Sequence, residues 1–368
     1  MSPDIVRSRL ERLRGLAAES GVSAVLVSPG PDLRYLTGYD AVPLERLTLL
    51  VVPASGDPVL FAPHLEELAA VASPVGGAGI PVVTWRETED PYALVAGQLG
   101  SVSSVALDNH MWAEKVLRLG EAMPTVEQLL AGALIDRMRM VKDDAEIAAL
   151  TRAAAAIDRV HAQVPHLLRA GRTEREVGAD IAERILAEGH VTVDFVIVAS
   201  GPNGASPHHE VSDRVLQSGD AVVVDIGGMM PDGYRSDCTR TYAIGDPGEE
   251  FLAAFAVLKQ AQEKSVEQVR PGVSCASVDS AGRDHLAQAG LADLFIHRTG
   301  HGIGLETHEA PYIVEGNDLP LQVGMAFSVE PGFYRAGQYG ARIEDIVIVG
   351  EAGPIVLNHQ PRDLVVVS

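Results

Sequence analysis

Residues 216–227 read "LQSGDAVVVDIG" and residues 321–332 read "LQVGMAFSVEPG". Each opens on Leu-Gln, passes a turn glycine and then runs apolar, as a buried strand does. An acid interrupts each run, Asp225 in the first and Glu330 in the second. A buried charge costs several kcal/mol unless it is paired, hydrogen-bonded or bound to a metal. The likeness extends upstream. Residues 169–189, "RAGRTEREVGADIAERILAEG", align without a gap on residues 270–290, "RPGVSCASVDSAGRDHLAQAG", sharing Arg, Gly, Thr or Ser, Val and the closing Gly. Downstream, each acid leads through a turn to another: Asp237 in "YRSDCTRTYAIG" and Glu344 in "YGARIEDIVIVG". The expectation is a pseudo-two-fold repeat, each half offering a helix and a β-hairpin with two carboxylates.

Four acids from two related hairpins can converge on one point. They cannot share a dry site without a compensating cation, because like charges drive protonation instead. Two divalent metals supply that charge. The stretch "HRTGHGIGLETHE" (297–309) adds a fifth ligand candidate: His301 sits between glycines that let backbone approach closely, with His297 and His308 on either side. Oxygen ligands with one imidazole suit Mn2+ best, and accept Co2+, Zn2+ or Fe2+. Two such ions roughly 3.5–4 Å apart can hold a hydroxide and polarise a carbonyl. Arg342 shares a strand face with Glu344 by the two-residue period and can orient a ligand carboxylate.

The rest of the chain reads as a two-domain α/β protein. Its 368 residues suit two domains, and a 46% hydrophobic content supports a sizeable core. The first domain, 1–137, alternates strands "SAVLVS" (23–28), "LTLLVVPA" (47–54), "DPVLFAP" (57–63) and "SVALD" (104–108) with helices over 6–20, 64–72 and 111–120. Val6, Leu10, Leu13 and Ala17 line one face of the first helix. The texture changes at "MRMVKDDAEIAALTRAAAAIDRVHAQV", where Asp143 or Asp144 caps a long helix with Ile147, Leu150 and Ala154 on one face. The second domain is placed at 138–368.

Several functions are excluded. A formal net charge of −21, with no lysine/arginine cluster, argues against nucleic acid. No apolar run approaches the ~18 residues that span a bilayer, so no membrane partner is expected. Charges interrupt "MSPDIVRSRLERLRGLAAESG", unlike a signal peptide. Cys238 and Cys275 cannot build a disulfide framework, which suits a cytoplasmic protein. Cys238 follows Asp237 and so faces away from it, and Asp345 likewise faces away from Glu344. "GHGIG" lacks the dinucleotide spacing, no G-x-S-x-G elbow is present, and "THEAPY" lacks the second histidine of a zincin helix.

The segments "VVVDIGG", "GYRSDCTRT", "TGHGIGLETHE", "SVEPGFY" and "ARIEDIVIV" resemble the metal-binding signature of the pita-bread metallopeptidases, in the branch of prolidase and aminopeptidase P. "SPGPDLRYLTGYD" (28–40) is similar to a motif of the creatinase-type N-terminal domain, and "RMRMVKDDAEIAALTRAA" to the inter-domain helix. The resemblance implies a creatinase-like domain followed by a pita-bread domain, whose curved antiparallel sheet carries helices outside. It makes Asp225 a ligand of one metal and His301 and Glu330 ligands of the other, with Asp237 and Glu344 bridging both. Glu330 would also accept the proton of the attacking water. His208, in "ASPHHE", matches a substrate-side histidine, and the adjacent His209 leaves the choice between the two open. His308 matches the residue that stabilises the tetrahedral intermediate, and His297 one at the pocket wall.

The implied reaction is hydrolysis of Xaa-Pro bonds in short proline-containing peptides. The N-terminal domain would help form a homodimer and wall the site. The Xaa-Pro bond is a tertiary amide without an N–H, so it defeats peptidases that grip that hydrogen. Two other readings are a hydrolase or lyase acting on a small non-peptide, and a non-catalytic binding protein. Relatives of those kinds lose metal ligands, whereas all five stand here. One departure concerns "IGGMMPDGYRS" between Asp225 and Asp237, a residue longer than is common in the family. A bulge or a longer turn would absorb it.

Overall fold

The structure, a computed structural model, describes all 368 residues. They form two units, Met1–Arg139 and Met140–Ser368. No helix is long and apolar enough to cross a membrane.

The first unit opens on helix Pro3–Glu19, capped by Ser2, with Val6, Leu10, Leu13 and Ala17 buried. Its sheet holds β1 (Ala24–Val27), β2 (Leu49–Pro53), β3 (Val59–Pro63), β4 (Val82–Trp85), β5 (Ser104–Leu107) and β6 (Glu127–Leu130), in the order β4-β3-β2-β1-β5-β6. β1 lies antiparallel to β2 and parallel to β5. β4 and β6 are absent from the sequence-based expectation. Both are four-residue edge strands; β6, EQLL, is largely exposed and lacks the apolar signature of a central strand, whereas β4, VVTW, carries it and sends Trp85 into the core. Helices Pro31–Thr37 and Pro91–Leu99 were also not expected, although each begins with a proline that favours a first helical turn. Helix Gly132–Arg139 belongs wholly to the first unit, and the division lies at its end.

The second unit is built twice. Its first half holds helices Asp144–His161 and Glu174–Ala187, then β7 (Thr192–Ser200), β8 (Ala221–Met229) and β9 (Arg235–Ile244). Its second half holds helices Glu249–Gln268 and Cys275–Gln288, then β10 (Gly300–Gly302), β11 (Glu309–Ile313), β12 (Ala326–Val329), β13 (Gly332–Arg335), β14 (Tyr339–Arg342) and β15 (Asp345–Val349). β16 (Pro354–Val356) and β17 (Val365–Val367) follow, and the sheets run β17-β9-β8-β7, β11-β10-β12-β15-β16 and β13-β14. Asp143 caps the first long helix in a reciprocal box with Glu146.

The repeat holds down to single bonds. Gly171 N–H donates to Leu216 O at 2.9 Å, and Gly272 N–H to Leu321 O at 2.8 Å. Gly219 N–H donates to Ile244 O at 2.6 Å, and Gly324 N–H to Val349 O at 2.8 Å. An isolated bridge joins Thr173 to Val215, and its counterpart joins Ser274 to Pro320. Helices pack on one side of each sheet. Val222, Val224 and Ile226 of β8 enter a core with Ile157, Val177 and Ile181, while Phe327, Val329 and Val347 join Val266 and Val278. Alternation along β8 therefore sends Val223, Asp225 and Gly227 to the other face. The longer link between Asp225 and Asp237 is absorbed in the Met230–Tyr234 turn, and the β8–β9 register runs unbroken with no bulge.

Candidate metal centre

Asp225 lies opposite Thr239, and Asp237 opposite Gly227. Opposed residues of an antiparallel pair share a face, so the two acids are diagonal neighbours on the face turned away from the helices. No side chain stands at Gly227, where a Cβ would come within 2.5 Å of Ser236 O and 2.6 Å of the Phe195 ring.

The second half reaches this face along β9. Glu344 N–H donates to Thr239 O at 3.1 Å, and Thr241 Oγ1 donates to Arg342 O at 2.9 Å. Glu330 follows β12, its N–H donating to Thr299 O at 2.8 Å. His301 arrives in β10 between two glycines that tolerate no side chain. A Cβ on Gly300 would lie 1.8 Å from Ser328 O, and one on Gly302 2.1 Å from Ala310 O.

His301 Nδ1 lies 3.1 Å from Gly302 O. A carbonyl only accepts, so this nitrogen carries a proton, and Nε2 is the nitrogen that faces the acids and can ligate a cation. Nε2 is 3.1 Å from Glu330 Oε1 and 3.7 Å from Asp237 Oδ2. The ligating atoms of Asp237, His301 and Glu344 all lie within 4.8 Å of one another.

Two carboxylates are held by one oxygen and left open at the other. Asp225 Oδ2 receives Arg342, and Glu344 Oε2 receives Thr239 Oγ1 at 2.9 Å. Asp225 Oδ1 and Glu344 Oε1 are buried with no hydrogen-bond partner. Buried polar atoms are nearly always satisfied. Orphaned carboxylate oxygens beside an imidazole lone pair form the donor set of a divalent cation, so the residues fit such an ion.

The electrostatics agree. Burial pushes the carboxyls of Asp237 and Glu344 well above the usual range, and the neighbouring acids push them further. Asp225 is raised by burial against the opposing charge of Arg342. Burial also acts to raise Glu330, but the hydrogen bond and charge of His301, then His297 and Arg342, bring it down to about 2.

Arg342 donates to Asp225, to Tyr334 Oη at 2.7 Å, to Thr239 Oγ1 at 3.1 Å and to Pro207 O at 3.3 Å. It thus braces Asp225 rather than its sequence neighbour Glu344. His297 spends both ring nitrogens on protein: Nδ1 donates to Arg298 O at 2.7 Å, and Nε2 accepts from Tyr334 Oη at 2.8 Å. The His308 ring centroid lies 4.0 Å from that of His301. Burial, then the charges of His301 and Arg298, lower its pKa to about 4, so its imidazole is neutral at neutral pH.

His209 Nε2 is 2.8 Å from Glu174 Oε2, whereas His208 is exposed and within electrostatic reach of His308. Asp345 pairs with Arg240 at 2.7 Å, and Cys238 sits in the helix-side core.

Three residues of the site escaped the sequence reading: Thr239, Tyr334 and Glu174. The alternation Asp237-Thr239-Thr241 carried a signal for the first. Nothing local marked the other two. A further trio in the first unit, Asp32, Asp108 and His110, also brings ligating atoms within 4.8 Å. Arg139 pairs with Asp32 at 2.7 Å, and Ser28 donates to Asp108 through N and Oγ at 2.7 and 2.8 Å, so that charge is met within the protein.

Residues 148–351 match Metallopeptidase family M24, and residues 9–141 match the Creatinase/Prolidase N-terminal domain. The chain is 51% identical over 365 residues to the probable dipeptidase PepE of Mycobacterium tuberculosis, covering 99% of this chain and 97% of that protein. It is 34% identical over 372 residues to the Xaa-Pro dipeptidase of Lactobacillus helveticus, covering 97% and 98%. The crystal structure of dipeptidase PepE from Mycobacterium ulcerans superposes with a TM-score of 0.97 at 51% identity, over 100% of this chain and 99% of that one. With both domains matched and peptidases aligned along nearly its whole length, the chain belongs to metallopeptidase family M24 and is a peptidase of the pita-bread fold.

Proposed function

We propose that this peptidase is a dinuclear-metal dipeptidase that cleaves Xaa-Pro bonds, with Asp225, Asp237, His301, Glu330 and Glu344 as its metal ligands. The observation that carries the reading is the pair of buried oxygens, Asp225 Oδ1 and Glu344 Oε1, left without a partner. Bound divalent cations supply the Lewis acidity that activates water and polarises a carbonyl. Manganese is the metal this donor set prefers, with Co2+, Zn2+ or Fe2+ as substitutes. The reading includes a cytoplasmic homodimer.

The protein's own groups do the rest. Glu330, ionised at neutral pH and steadied by Ser328 Oγ at 2.9 Å, takes the proton of the attacking water and passes it to the leaving nitrogen. His308, neutral and held close to His301, donates to the developing oxyanion. His208 meets the substrate, since His209 is occupied by Glu174. His297 acts at one remove, orienting Tyr334 and through it Arg342. Such a site needs the carbonyl oxygen and a proton for the leaving nitrogen, but no scissile N–H, which is the requirement an Xaa-Pro bond sets.

A second reading, a dipeptidase indifferent to proline, is favoured by the name "dipeptidase" on the 51%-identical relative. Hydrolysis of Ala-Pro, Ala-Ala, Ala-Pro-Ala and Ala-Ala-Ala with manganese, by wild type and by Glu330→Ala, separates these. Cleavage of Ala-Pro alone supports the proposal. Cleavage of Ala-Ala at a similar kcat/KM supports the second reading, and cleavage of Ala-Pro-Ala means an aminopeptidase. No turnover of any of them with manganese, cobalt or zinc would overturn the peptide assignment.

A further inference from the structure

We propose that Glu174 is a positioning residue of this site, whose carboxylate clasps the segment Ser200–Ser212 and holds His208 toward the substrate. The inference rests on the peptidase reading above.

Glu174 opens helix Glu174–Ala187 and is fully buried. Its Oε1 accepts from Ser200 N at 2.8 Å, Ser200 Oγ at 2.7 Å and Asn203 Nδ2 at 3.1 Å. Its Oε2 accepts from Ser212 Oγ at 2.6 Å, Ser212 N at 3.2 Å, His209 Nε2 at 2.8 Å and Asn203 Nδ2 at 3.1 Å. Burial acts to raise its pKa, but the donors from Ser212 and Ser200 bring it below the usual value, so the carboxylate is ionised. The helix N-terminus favours the same charge.

The donors come from both ends and the middle of one segment. Ser200 ends β7, paired with Val222; past it the segment holds a short 3-10 turn, Gly201–Ala205, and no strand. Its path is set by the Glu174 clasp, by Arg175 N–H donating to Ser212 O at 3.0 Å, by Val211 packed against the helix-side core, by the Gly204 backbone pressed on Gly340, and by the Arg342 bond to Pro207 O. A Cβ on Gly340 would lie 2.0 Å from Gly204 O. His208 stands between the last tie and the clasp. Its preceding carbonyl is held by the guanidinium that braces Asp225, and its following side chain is held by Glu174. His208 stands inside a turn, Ser206–His209, closed by His209 N–H donating to Ser206 O at 3.2 Å. With His209 fixed on Glu174 and Pro207 O on Arg342, the turn has one orientation, in which His208 is exposed and within electrostatic reach of His308. The Glu174 carboxylate thus acts through His209 and the backbone, without touching the substrate.

A double-mutant cycle with manganese-loaded enzyme and Ala-Pro tests this: wild type, Glu174→Gln, His208→Ala and the double variant. Glu174→Gln is expected to lower kcat/KM about 10-fold, chiefly through KM, with manganese affinity unchanged and faster amide exchange confined to residues 200–212. The double variant is expected to be no worse than His208→Ala. Multiplying losses, or a Glu174→Gln enzyme with wild-type KM, would overturn the inference while leaving the peptidase reading intact. If Glu174→Gln does not fold, His209→Gln in the same cycle decides by the same criterion, with an expected loss of about 3-fold. A wild type that cleaves no dipeptide would sink the peptidase reading and this inference together.

Discussion

The two hairpins of the second unit carry their acids in different ways. β8 and β9 pair without interruption from Ala221 and Ala243 to Met229 and Arg235, and both acids sit within the ladder. In the second half the same path is cut. β12 pairs with β15, β13 pairs with β14, and Glu330 and Glu344 occupy the gap between the two ladders. Pro331 stands where the first half has Ile226, and a proline cannot donate to a ladder. Within a ladder the pleat sets a side chain's direction. At a break, the direction depends on where the freed N–H groups go, here to Thr299 O and Thr239 O.

The anchoring acids also differ. Glu174 in one half aligns on Cys275 in the other, while Asp279 aligns on Gly178. Asp279 accepts from Thr299 N at 3.1 Å and Thr299 Oγ1 at 2.8 Å, steadying the entry to β10 and His301. One backbone frame therefore serves two tasks. The regular half presents fixed acids, and the broken half places the histidine and the acid proposed to move protons.

The largest test of that division is Glu330→Gln against Asp225→Asn. Glu330→Gln is expected to lower kcat on Ala-Pro by about 10²–10⁴-fold. Asp225→Asn should instead appear first as a loss of manganese affinity of about 10-fold or more by calorimetry. Equal effects on both readouts would erase the asymmetry between the halves.

Glycine substitutions probe the two backbones. Gly300→Ala would place its Cβ 1.8 Å from Ser328 O, whereas Gly227→Ala meets Ser236 O at 2.5 Å. Each is expected to destabilise the protein by about 1–3 kcal/mol in denaturant titration, Gly300→Ala more than Gly227→Ala. The reverse order would mean that the broken half yields more easily than the ladder.

Thr239 joins the halves by donating to Glu344 Oε2. Thr239→Val is expected to cost about 1 kcal/mol, and to weaken manganese binding without changing the fold, as metal titration followed by thermal unfolding would reveal.

The last effect appears only as pH falls. His161 in the first half is fully buried, with Nε2 2.9 Å from Cys238 O, and burial lowers its pKa from 6.5 to about 3. The unfolded chain binds a proton below the ordinary value that the folded chain refuses. Its contribution to stability is therefore complete above pH 6.5 and is lost as pH falls toward 3. His161→Gln should flatten the unfolding free energy against pH between about 4 and 6 by up to about 1.4 kcal/mol per pH unit. An unchanged slope would show that another group governs acid sensitivity.

Much of this site was legible locally. The acids interrupting "AVVVDIG" and "AFSVEPG" announced themselves against apolar runs, and the glycines around His301 flagged close backbone contact. Alternation correctly turned Cys238 and Asp345 away from Asp237 and Glu344. That His209 is drawn to a buried carboxylate was not legible, because the partner, Glu174, lies 35 residues away. Tyr334 lay within a recognised motif, yet its link to His297 spans 37 residues. β6 was missed because an exposed edge strand needs no apolar face.

The sequence by itself determined which side of β8 and β9 their acids take, where the long helix is capped, and that two halves share one plan. These follow from periods of a few residues and from backbone hydrogen bonds local to each element. Only the tertiary structure decided that the two halves meet along β9, that Arg342 serves Asp225, and that His301 turns Nε2 to Asp237 and Glu330. Those outcomes depend on register between segments about a hundred residues apart, which no local pattern specifies and packing alone selects.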